Sequence, residues 1–237
     1  KKDLQIVFQD PSSSLNPHQT VKQILELPLK VHCTDMSASE REVRVKELLS
    51  MVELPSSYLY KSPASMGGGE RQMISIARAL ACDPSMIILD EPTSALDVSI
   101  QAKIINMLLQ LQKEKNLTYL FITHDLSLMR NIATRVAILY LGKIAEIAPT
   151  EDFFRRPEHP YTKMLLSSIP VISEEEEKLK PEKVESRGEI PSPVNIPPGC
   201  SFHQRCDKQM EICTKEEPEF HCVGDRHIVR CHLCDNK

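Results

Sequence analysis

Apolar runs alternate with helical patterns along the first 150 residues of the chain. Short apolar segments at 4–9, 85–89 and 117–123 predict buried strands. Between them, apolar residues recur every three or four positions, which predicts amphipathic helices. The best defined helix begins at Ser37, where Ser37 and Glu40 form a capping-box pattern. Apolar strands separated by amphipathic helices predict a parallel sheet covered on both faces, the α/β class.

Four further segments have clear patterns. The segment 20–32 is apolar but contains Pro28, so we expect a short, interrupted helix there. The sequence ERQMISIARALAC at 70–82 predicts a helix, and VAILYLGKIAEIA predicts a hairpin that turns near Gly142. HPYTKMLLSSIP at 159–170 predicts one more helix.

Composition changes sharply in the last quarter of the chain. Residues 174–199 are charged and then Pro-rich, with little to bury, which predicts a linker. Six of the eight cysteines follow between Cys200 and Cys234. Because no export signal is visible, this cluster favours a metal site over disulfides.

Charge and hydropathy exclude some classes of function for this chain. The 237 residues carry a net charge of −4, which argues against an extended nucleic-acid surface and predicts no nucleic-acid partner. No apolar run approaches the roughly 18 residues that a membrane span requires.

The segment MIILDEPTSALD at 86–97 carries the first candidate chemistry. Asp90 and Glu91 directly follow an apolar strand, at the edge of an α/β sheet where ligands bind. One carboxylate there can hold Mg²⁺ and the other can orient or deprotonate a water. By pattern alone, an exposed turn at the end of a strand remains the commoner explanation.

Neighbouring motifs weaken that explanation. The strand at 117–123 is followed by His124, and Gln9 closes the first strand, so both are expected at the same edge as Asp90. Glycines 67–69 precede a predicted helix, where free backbone amides and the helix dipole favour an anion.

In this order, the motifs resemble the nucleotide-binding subunit of ABC transporters over roughly residues 4 to 150. The resemblance implies ATP and Mg²⁺ as ligands. It makes Gln9 the Q-loop glutamine that senses Mg²⁺ and nucleotide, Asp90 the Walker B aspartate, Glu91 the catalytic base and His124 the switch histidine that contacts the γ-phosphate.

Two further motifs are implied by the same resemblance. The signature motif is Met66, Gly67, Gly68, Gly69 and Glu70. The D-loop is Ser94, Ala95, Leu96 and Asp97. In the family's dimer each ATP lies between the P-loop and Walker B side of one subunit and the signature helix of the other.

The resemblance also implies a fold and its divisions. We expect a P-loop NTPase-like core that lacks part of its N-terminal lobe, an inserted α-helical subdomain and a small Cys-rich C-terminal extension. The expected segments are a core remnant at 1–12, the helical subdomain with the signature at 13–80, the Walker B, D-loop and switch-histidine part at 81–150, and the extension at 151–237, with a linker at about 172–199 and the Cys cluster at 200–234.

A closer resemblance is to the ATP-binding subunits of oligopeptide and dipeptide importers. It rests on IVFQDPSSSLNP, HPYTKMLLSSIP and the tail GCSFHQRCDKQMEICTKEEPEF. It implies a subunit at the cytoplasmic face of the plasma membrane that couples ATP binding and hydrolysis to peptide import. Its partners would be a second ATP-binding subunit, two transmembrane permease subunits and, indirectly, an extracytoplasmic peptide-binding protein.

The chain departs from the family's pattern in two places. No G-x-x-x-x-G-K-[ST] segment occurs, and because the family's P-loop precedes the Q-loop we expect a chain truncated at its N-terminus and inactive alone. In the signature, Gly67 replaces the serine that bonds the γ-phosphate and Glu70 replaces glutamine. The lost hydrogen bond to a charged group costs about 1.5–3 kcal/mol, which predicts a weakened composite site.

Two alternatives of other classes remain open. The chain could be a degenerate, non-hydrolysing partner that supplies only its signature and D-loop to a second subunit. It could also be a metal-binding module on an α/β scaffold, although the five ATPase motifs in order argue against this.

The cysteine spacing leaves the metal undecided. CHLC at 231–234 and nearby histidines place zinc slightly ahead of an iron–sulfur cluster, with free thiols behind both. The resemblance to peptide importers reverses this order, because some of those subunits carry a [4Fe–4S] cluster held by four thiolates. The matching thiols are Cys200, Cys206, Cys213 and Cys231.

Overall fold

The computed structural model describes residues 2–169 and 188–235. The chain forms two compact units, an N-terminal unit at Lys1–His124 and a C-terminal unit at Asp125–Lys237. No helix in the described ranges is long and apolar enough to cross a membrane. Residues 172–187 of the predicted linker lie outside the described residues.

The N-terminal unit contains a parallel three-stranded sheet and the helices that pack with it. The strands are β1 (Leu4–Val7), β2 (Met86–Asp90) and β3 (Thr118–Ile122), in the order β1-β2-β3. The helices are α1 (Pro11–Ser14), α2 (Val21–His32), α3 (Ala38–Met51), α4 (Gly68–Leu80) and α5 (Val98–Lys115). The predicted strands and the helix at Ser37 are confirmed.

Helix α2 corrects one prediction, because it continues through Pro28 instead of breaking there. Thr20 and Gln23 form a capping box at its start, and Val21, Ile24, Leu25 and Leu29 are buried. An interior proline removes one backbone hydrogen bond. The cap and the buried apolar stripe are the features of this helix that offset that loss.

The two faces of the parallel sheet differ. Val7, Ile87 and Leu89 on one face are fully buried. On the other face, Ile6 is 39% exposed and Leu120 is 47% exposed, although they align across the sheet. The prediction of a sheet covered on both faces is therefore wrong for the described residues, because the side chains of the second face remain in contact with solvent.

The C-terminal unit contains a four-stranded antiparallel sheet in the order β4-β5-β7-β6. Its strands are β4 (Arg135–Tyr140), β5 (Lys143–Pro149), β6 (Phe220–Gly224) and β7 (His227–Arg230), and its helices are α6 (Leu126–Ile132), α7 (Thr150–Arg155) and α8 (Pro160–Ser167). The hairpin predicted at Gly142 is confirmed, and both turn residues, Leu141 and Gly142, have positive φ. This is the pairing that a two-residue hairpin turn requires.

A buried carboxylate joins the hairpin to the Cys-rich tail. Glu146 on β5 is fully buried and lies 2.7 Å from His227 Nε2 on β7. The same carboxylate accepts the backbone N–H groups of Glu158 and His159 at 2.9 and 3.0 Å. Since each of these donors is near or inside the core, Glu146 satisfies polar groups that would otherwise be costly to bury. The tail is thus part of the same sheet as the β4–β5 hairpin.

Candidate functional site

The carboxyl ends of the three parallel strands bring the predicted polar residues together. Asp90 ends β2 and Glu91 follows it, while Gln9 and His124 each lie two residues beyond the ends of β1 and β3. Parallel strands place their carboxyl ends at one edge of a sheet, where ligands bind. The structure therefore gathers these four side chains, which span 116 positions of sequence, at one edge.

Glu91 is the centre of this group. Gln9 Nε2 donates a hydrogen bond to Glu91 Oε2 at 2.9 Å. On the other side, His124 Nδ1 lies 3.3 Å from Glu91 Oε1. The Glu91 side chain is 25% exposed and that of His124 is 72% exposed, so the group is open to solvent on the histidine side. One carboxylate is thereby oriented by an amide and an imidazole and can still be reached by water.

The backbone of Glu91 is in an unusual conformation. Its φ is 42°, in the left-handed region that non-glycine residues rarely adopt. Its N–H donates to the Ile122 carbonyl at 2.9 Å, which extends the β2–β3 pairing by one residue. Strain of this kind persists where the surroundings enforce it, and it is concentrated at functional sites.

Asp90 offers a carboxylate that fits an oxygen ligand of Mg²⁺. It is partly buried, and within the described ranges no side chain donates a hydrogen bond to it or pairs with it. Magnesium in nucleotide sites is held by one or two carboxylates together with substrate phosphates and waters. A single open carboxylate at this edge satisfies that requirement.

Glu70 caps the start of helix α4 and binds one backbone amide of the glycine segment. Gly67 N–H donates to Glu70 Oε2 at 2.8 Å, and the Tyr58 hydroxyl donates to Glu70 Oε1. These two bonds, that from Tyr58 above all, lower the pKa of the Glu70 carboxyl. The expectation that these amides are free for an anion is therefore wrong at Gly67, because a carboxylate of the same chain takes that N–H group.

Gly68 and Gly69 have a packing role that the sequence did not reveal. A Cβ atom on Gly69 would lie 2.5 Å from Ile100 Cγ2, and one on Gly68 would lie 3.4 Å from Leu96 Cδ2. The first turn of α4 thus packs directly against the residues that open α5. At these two glycines, the predicted signature motif packs closely against the predicted D-loop and the start of α5 in the same chain.

The segment Ser94–Asp97 is ordered by its own hydrogen bonds. Ser94 donates to the Glu91 carbonyl through its N–H at 3.3 Å and its hydroxyl at 3.2 Å. Asp97 is the N-cap of α5, and its Oδ1 accepts from Ile100 N–H at 3.0 Å and Ser99 Oγ at 2.5 Å. The bonds from Ser99 and Ile100 lower the pKa of Asp97. Asp97 therefore has a local structural role whatever else it contacts.

The remaining signature residues are placed as follows. Met66 is buried, and its backbone N–H donates to the Pro63 carbonyl at 3.2 Å. Ser65, one position before the expected serine site, donates its hydroxyl to the Ser62 carbonyl at 2.9 Å. The Ser65 hydroxyl is therefore engaged locally and does not replace the one that Gly67 lacks.

Arg78 connects helix α4 to the segment that follows Gln9, and sequence reasoning missed it. Its guanidinium Nη1 donates to the Ser14 carbonyl at 2.5 Å, at the end of the short helix α1 that follows Gln9. Arg78 is partly buried, and this burial lowers its pKa. The only sequence signal is a basic residue among the mostly apolar residues 73–82.

The cysteine-rich tail brings its thiols into proximity. The N–H of Cys200 donates to the Cys213 carbonyl at 2.9 Å. Burial raises the pKa of Cys206 to about 11 and that of Cys231 to about 12, and neighbouring thiolates, Cys200 among them, add to both shifts. Cys222 is exposed and donates its S–H to the Gly224 carbonyl at 3.3 Å.

No group of three or more His, Cys, Asp or Glu side chains in the described parts of the chain is placed to hold a single metal ion. Cys200, Cys206, Cys213 and Cys231 are all free thiols. Four sulfurs around one zinc ion must all lie about 2.3 Å from it. This geometry does not occur among the described residues.

Two family models match the chain. The model described as ABC transporter matches residues 1–94, and the one described as oligopeptide/dipeptide transporter, C-terminal region, matches residues 145–213. The oligopeptide transport ATP-binding protein AppF of Bacillus subtilis is 48% identical over 98% of this chain and 70% of its own length. The dipeptide transport ATP-binding protein DppF of Haemophilus influenzae is 43% identical over 99% and 71%.

Solved structures agree on the fold. A dimeric ATP-binding cassette in a post-hydrolysis state with ADP and phosphate is 34% identical, with a TM-score of 0.56 over 63% of this chain and 64% of that chain. The protein cbiO1 from Clostridium perfringens, part of an ABC transporter complex, is 25% identical, with a TM-score of 0.58 over 65% of this chain and 60% of that chain. The chain has the P-loop NTPase-like fold of ABC ATPases and belongs to the family of oligopeptide and dipeptide ABC transporter ATP-binding proteins.

Proposed function

We propose that this chain is an ATP-binding subunit that couples ATP binding and hydrolysis to the import of peptides. The observation that carries the proposal is the hydrogen-bonded group of Gln9, Glu91 and His124 beside Asp90. Family membership supplies the second support, since its relatives are named for oligopeptide and dipeptide transport.

In this proposal the four residues divide the work of hydrolysis. Glu91 accepts the proton of the attacking water, because it is the carboxylate that faces solvent between two oriented polar partners. Asp90 supplies an oxygen ligand to Mg²⁺. Gln9 holds the Glu91 carboxylate in place and senses the occupied site. His124, whose side chain is 72% exposed, contacts the γ-phosphate.

The signature motif, Met66 to Glu70, and the D-loop, Ser94 to Asp97, face a second subunit in this proposal. Their mutual packing through Gly68 and Gly69 supports a joint role, because a shift of one segment must move the other. The ATP bound by the partner would then contact α4 of this chain. Within these 237 residues no P-loop sequence occurs, so the residues named here supply the metal, water and signature contacts.

The proposal includes partners, a location and a division of the chain. Two transmembrane permease subunits and a second ATP-binding subunit would complete the transporter at the cytoplasmic face of the membrane, with a peptide-binding protein on the other side. Residues 1–12 and 81–150 would belong to the ATPase core, 13–80 to the helical subdomain and 151–237 to the Cys-rich extension of peptide importers.

Peptide uptake tests this proposal directly. Deletion of the gene should abolish uptake of a labelled tripeptide and leave uptake of a labelled free amino acid unchanged. The unaltered gene should restore tripeptide uptake, and the gene with Glu91→Gln should not. Unchanged tripeptide uptake in the deletion strain would reject the proposal.

A degenerate partner subunit is the second candidate, favoured by the departures at Gly67 and Glu70. Such a subunit supplies its signature and D-loop but turns over no ATP at its own carboxylates. The two candidates differ in which substitution matters. In the degenerate subunit, changes at Gly67 alter transport whereas Glu91→Gln and His124→Ala leave it intact.

For the cysteine tail we propose a [4Fe–4S] cluster held by Cys200, Cys206, Cys213 and Cys231. Each thiolate would bind a different iron, so the sulfurs lie further apart than around one zinc ion. The proposal is supported by the match of residues 145–213 to the oligopeptide/dipeptide transporter C-terminal region, and by the Cys200 N–H that donates to the Cys213 carbonyl at 2.9 Å and holds two of the ligands' backbones together. The cluster would crosslink the tail, because three of its ligands precede β6 in sequence and the fourth follows β7.

Anaerobic purification tests the cluster. Absorbance at about 400 nm with iron and sulfide, lost in Cys231→Ser and retained in Cys222→Ser, supports it. Stoichiometric zinc without that absorbance supports a zinc site. The absence of both iron and zinc from the purified protein supports free thiols.

A further inference from the structure

Two cysteines lie outside both the carboxylate group and the tail. Cys33 is the C-cap of α2, and Cys82 lies two residues beyond the end of α4. They are 49 positions apart in sequence, yet their sulfur atoms are 4.0 Å apart, with the Cys33 thiol directed at the Cys82 sulfur. The N-terminal unit thus holds a pair of adjacent thiols that no step of ATP hydrolysis uses.

We propose that Cys33 and Cys82 form a thiol modification site that small disulfides oxidise to a Cys33–Cys82 disulfide. The proposal goes beyond the proposed transport function and does not depend on it. It rests on the short distance between the two sulfurs and on their unequal access to solvent.

The packing around the pair brings the two thiols together. Helices α2 and α4 pack against each other, and the Cys82 S–H group donates to the Pro28 carbonyl at 3.5 Å. Cys33 N–H donates to the Leu29 carbonyl at 2.8 Å, which fixes the backbone where α2 ends. A disulfide requires the sulfurs to close from 4.0 Å to about 2.05 Å. Both cysteines lie just beyond helix ends, where side-chain rotation and small backbone shifts meet less resistance than inside a helix.

The two thiols are unequal, which sets the order of reaction. Cys82 is only 4% exposed, and burial, with a further contribution from Cys33, raises its pKa to about 11. Cys33 is partly exposed and can meet a dissolved disulfide. Since the thiolate is the attacking species and needs access, Cys33 reacts first and Cys82 resolves.

The chemistry balances with one small disulfide. The Cys33 thiolate attacks one sulfur of oxidised glutathione, which leaves a mixed disulfide at Cys33 and releases one glutathione thiolate. The Cys82 sulfur then attacks the Cys33 sulfur, its proton passes to the departing glutathione, and the second glutathione leaves as a thiol. Two protein thiols are oxidised and one glutathione disulfide is reduced to two thiols.

The crosslink would connect parts of the chain that carry different motifs. It would join the C-terminal end of α2 to Cys82, just beyond the C-terminal end of α4. The N-terminal end of α4 carries Gly67 and Glu70. The crosslink would also enclose α3 in a covalent loop, which restricts the unfolded chain. Oxidation should therefore shift the urea unfolding midpoint of the chain upward, and reductant should reverse the shift.

Tryptic mapping identifies the bond without ambiguity. Cleavage at Lys and Arg places Cys33 in the peptide 31–41 and Cys82 in the peptide 79–103, each with no other cysteine. The native chain is treated with oxidised glutathione, free thiols are blocked with N-ethylmaleimide at low pH, and the digest is analysed without reductant. The proposal predicts a peptide 31–41 linked to 79–103, recovered from monomeric protein, with a mass about 2 Da below the sum of the two.

Three variants complete the test. Cys82→Ser should accumulate a glutathione adduct on 31–41, Cys33→Ser should leave 79–103 unmodified, and Cys222→Ser, which removes an exposed cysteine elsewhere, should leave the linked yield unchanged. Glutathione retained on 31–41 of the unaltered chain while Cys82 stays free would overturn the proposal. So would a link that forms only between chains or only after denaturation.

Discussion

Gln9 Nε2 and Glu91 Oε2 are 2.9 Å apart although 82 positions of sequence separate the two residues. The parallel pairing of β1 with β2 creates this proximity, because both residues follow strands that end at the same sheet edge. The bond ties the first motif of the chain to the carboxylate that we propose as the base. Substitutions of Gln9 should therefore affect the carboxylate of Glu91.

Gln9→Glu should alter the pH profile of ATP hydrolysis by the assembled transporter. A second carboxylate at hydrogen-bonding distance raises the pKa of one member of the pair, since like charges disfavour ionisation. Because a general base must be ionised, the acidic limb of kcat should move to higher pH. The profile is measured between about pH 5 and 9, where a carboxyl pKa raised above its ordinary value of about 4.3 becomes visible.

The matched control is Gln9→Ala, which removes the hydrogen bond and adds no charge. It should lower the rate and leave the acidic limb at its original pH. Equal profiles for the two variants would show that Gln9 and Glu91 are not coupled in the working enzyme.

Gly67→Ser should increase ATP hydrolysis by the transporter by about tenfold or more. A Cβ atom at this position meets only Glu70 Oε2, at 3.8 Å, so serine fits without strain and restores the hydroxyl for the γ-phosphate. The lost bond is worth about 1.5–3 kcal/mol. Gly67→Ala, which fits equally well but has no hydroxyl, is the control, and equal rates for Ser and Ala would contradict the prediction.

Gly69→Ala should destabilise the N-terminal unit. The added methyl group would lie 2.5 Å from Ile100 Cγ2, and overpacking of this kind costs about 1–3 kcal/mol. Gly68→Ala, with 3.4 Å to a flexible leucine terminus, should be close to neutral. Urea unfolding followed by circular dichroism measures both.

A double variant identifies the cause of the Gly69→Ala effect. In an Ile100→Ala background the obstructing atoms are gone, so Gly69→Ala should cost less than about 1 kcal/mol. An unchanged cost in that background would mean that the effect comes from the helix backbone and not from contact with α5.

His159 should make the stability of the C-terminal unit depend on pH. Burial, with a small contribution from Lys163, lowers its pKa to about 4, and its Nδ1 accepts the Tyr161 N–H at 3.0 Å. The folded pKa lies below the unfolded value of about 6.5, so stability is complete above that value and is lost as pH falls toward 4, by about 3 kcal/mol.

His159→Asn keeps an acceptor at the N-cap of α8 and removes the titration. The difference in unfolding free energy between the two chains should therefore shrink as pH falls from 7 to 4. A difference that stays constant over this range would show that His159 titrates normally in the folded chain.

The sequence predicted the parts of the molecule that local patterns determine. The strand periodicity at 4–9, 85–89 and 117–123 placed Gln9, Asp90 and Glu91 correctly, because parallel strands of an α/β fold end at one edge. The capping box at Ser37 and the turn at Gly142 were also correct, since both depend on residues close in sequence.

The features that were missed depend on contacts between distant residues. The continuation of α2 through Pro28 could not be predicted from the local sequence, because buried apolar residues and an N-terminal cap offset the hydrogen bond that the proline removes. The capture of the Gly67 N–H by Glu70 is an exception, because it is a local contact that was missed since a glycine N-cap lacks the side chain that marks a capping box. The approach of Gly69 to Ile100 depends on how α4 packs on α5, which periodicity does not specify.

In the proposed function, Glu91 of this subunit removes a proton from the water that attacks ATP. The decisive measurement is ATP hydrolysis by the assembled transporter in which only this residue is changed, Glu91→Gln, with Glu151→Gln, an exposed carboxylate paired with Arg155, as the control. We expect a fall of about 100-fold or more for Glu91→Gln with nucleotide binding retained, and no change for the control. Hydrolysis within about twofold of the unaltered transporter would contradict the claim and would favour a subunit that serves only its partner's ATP.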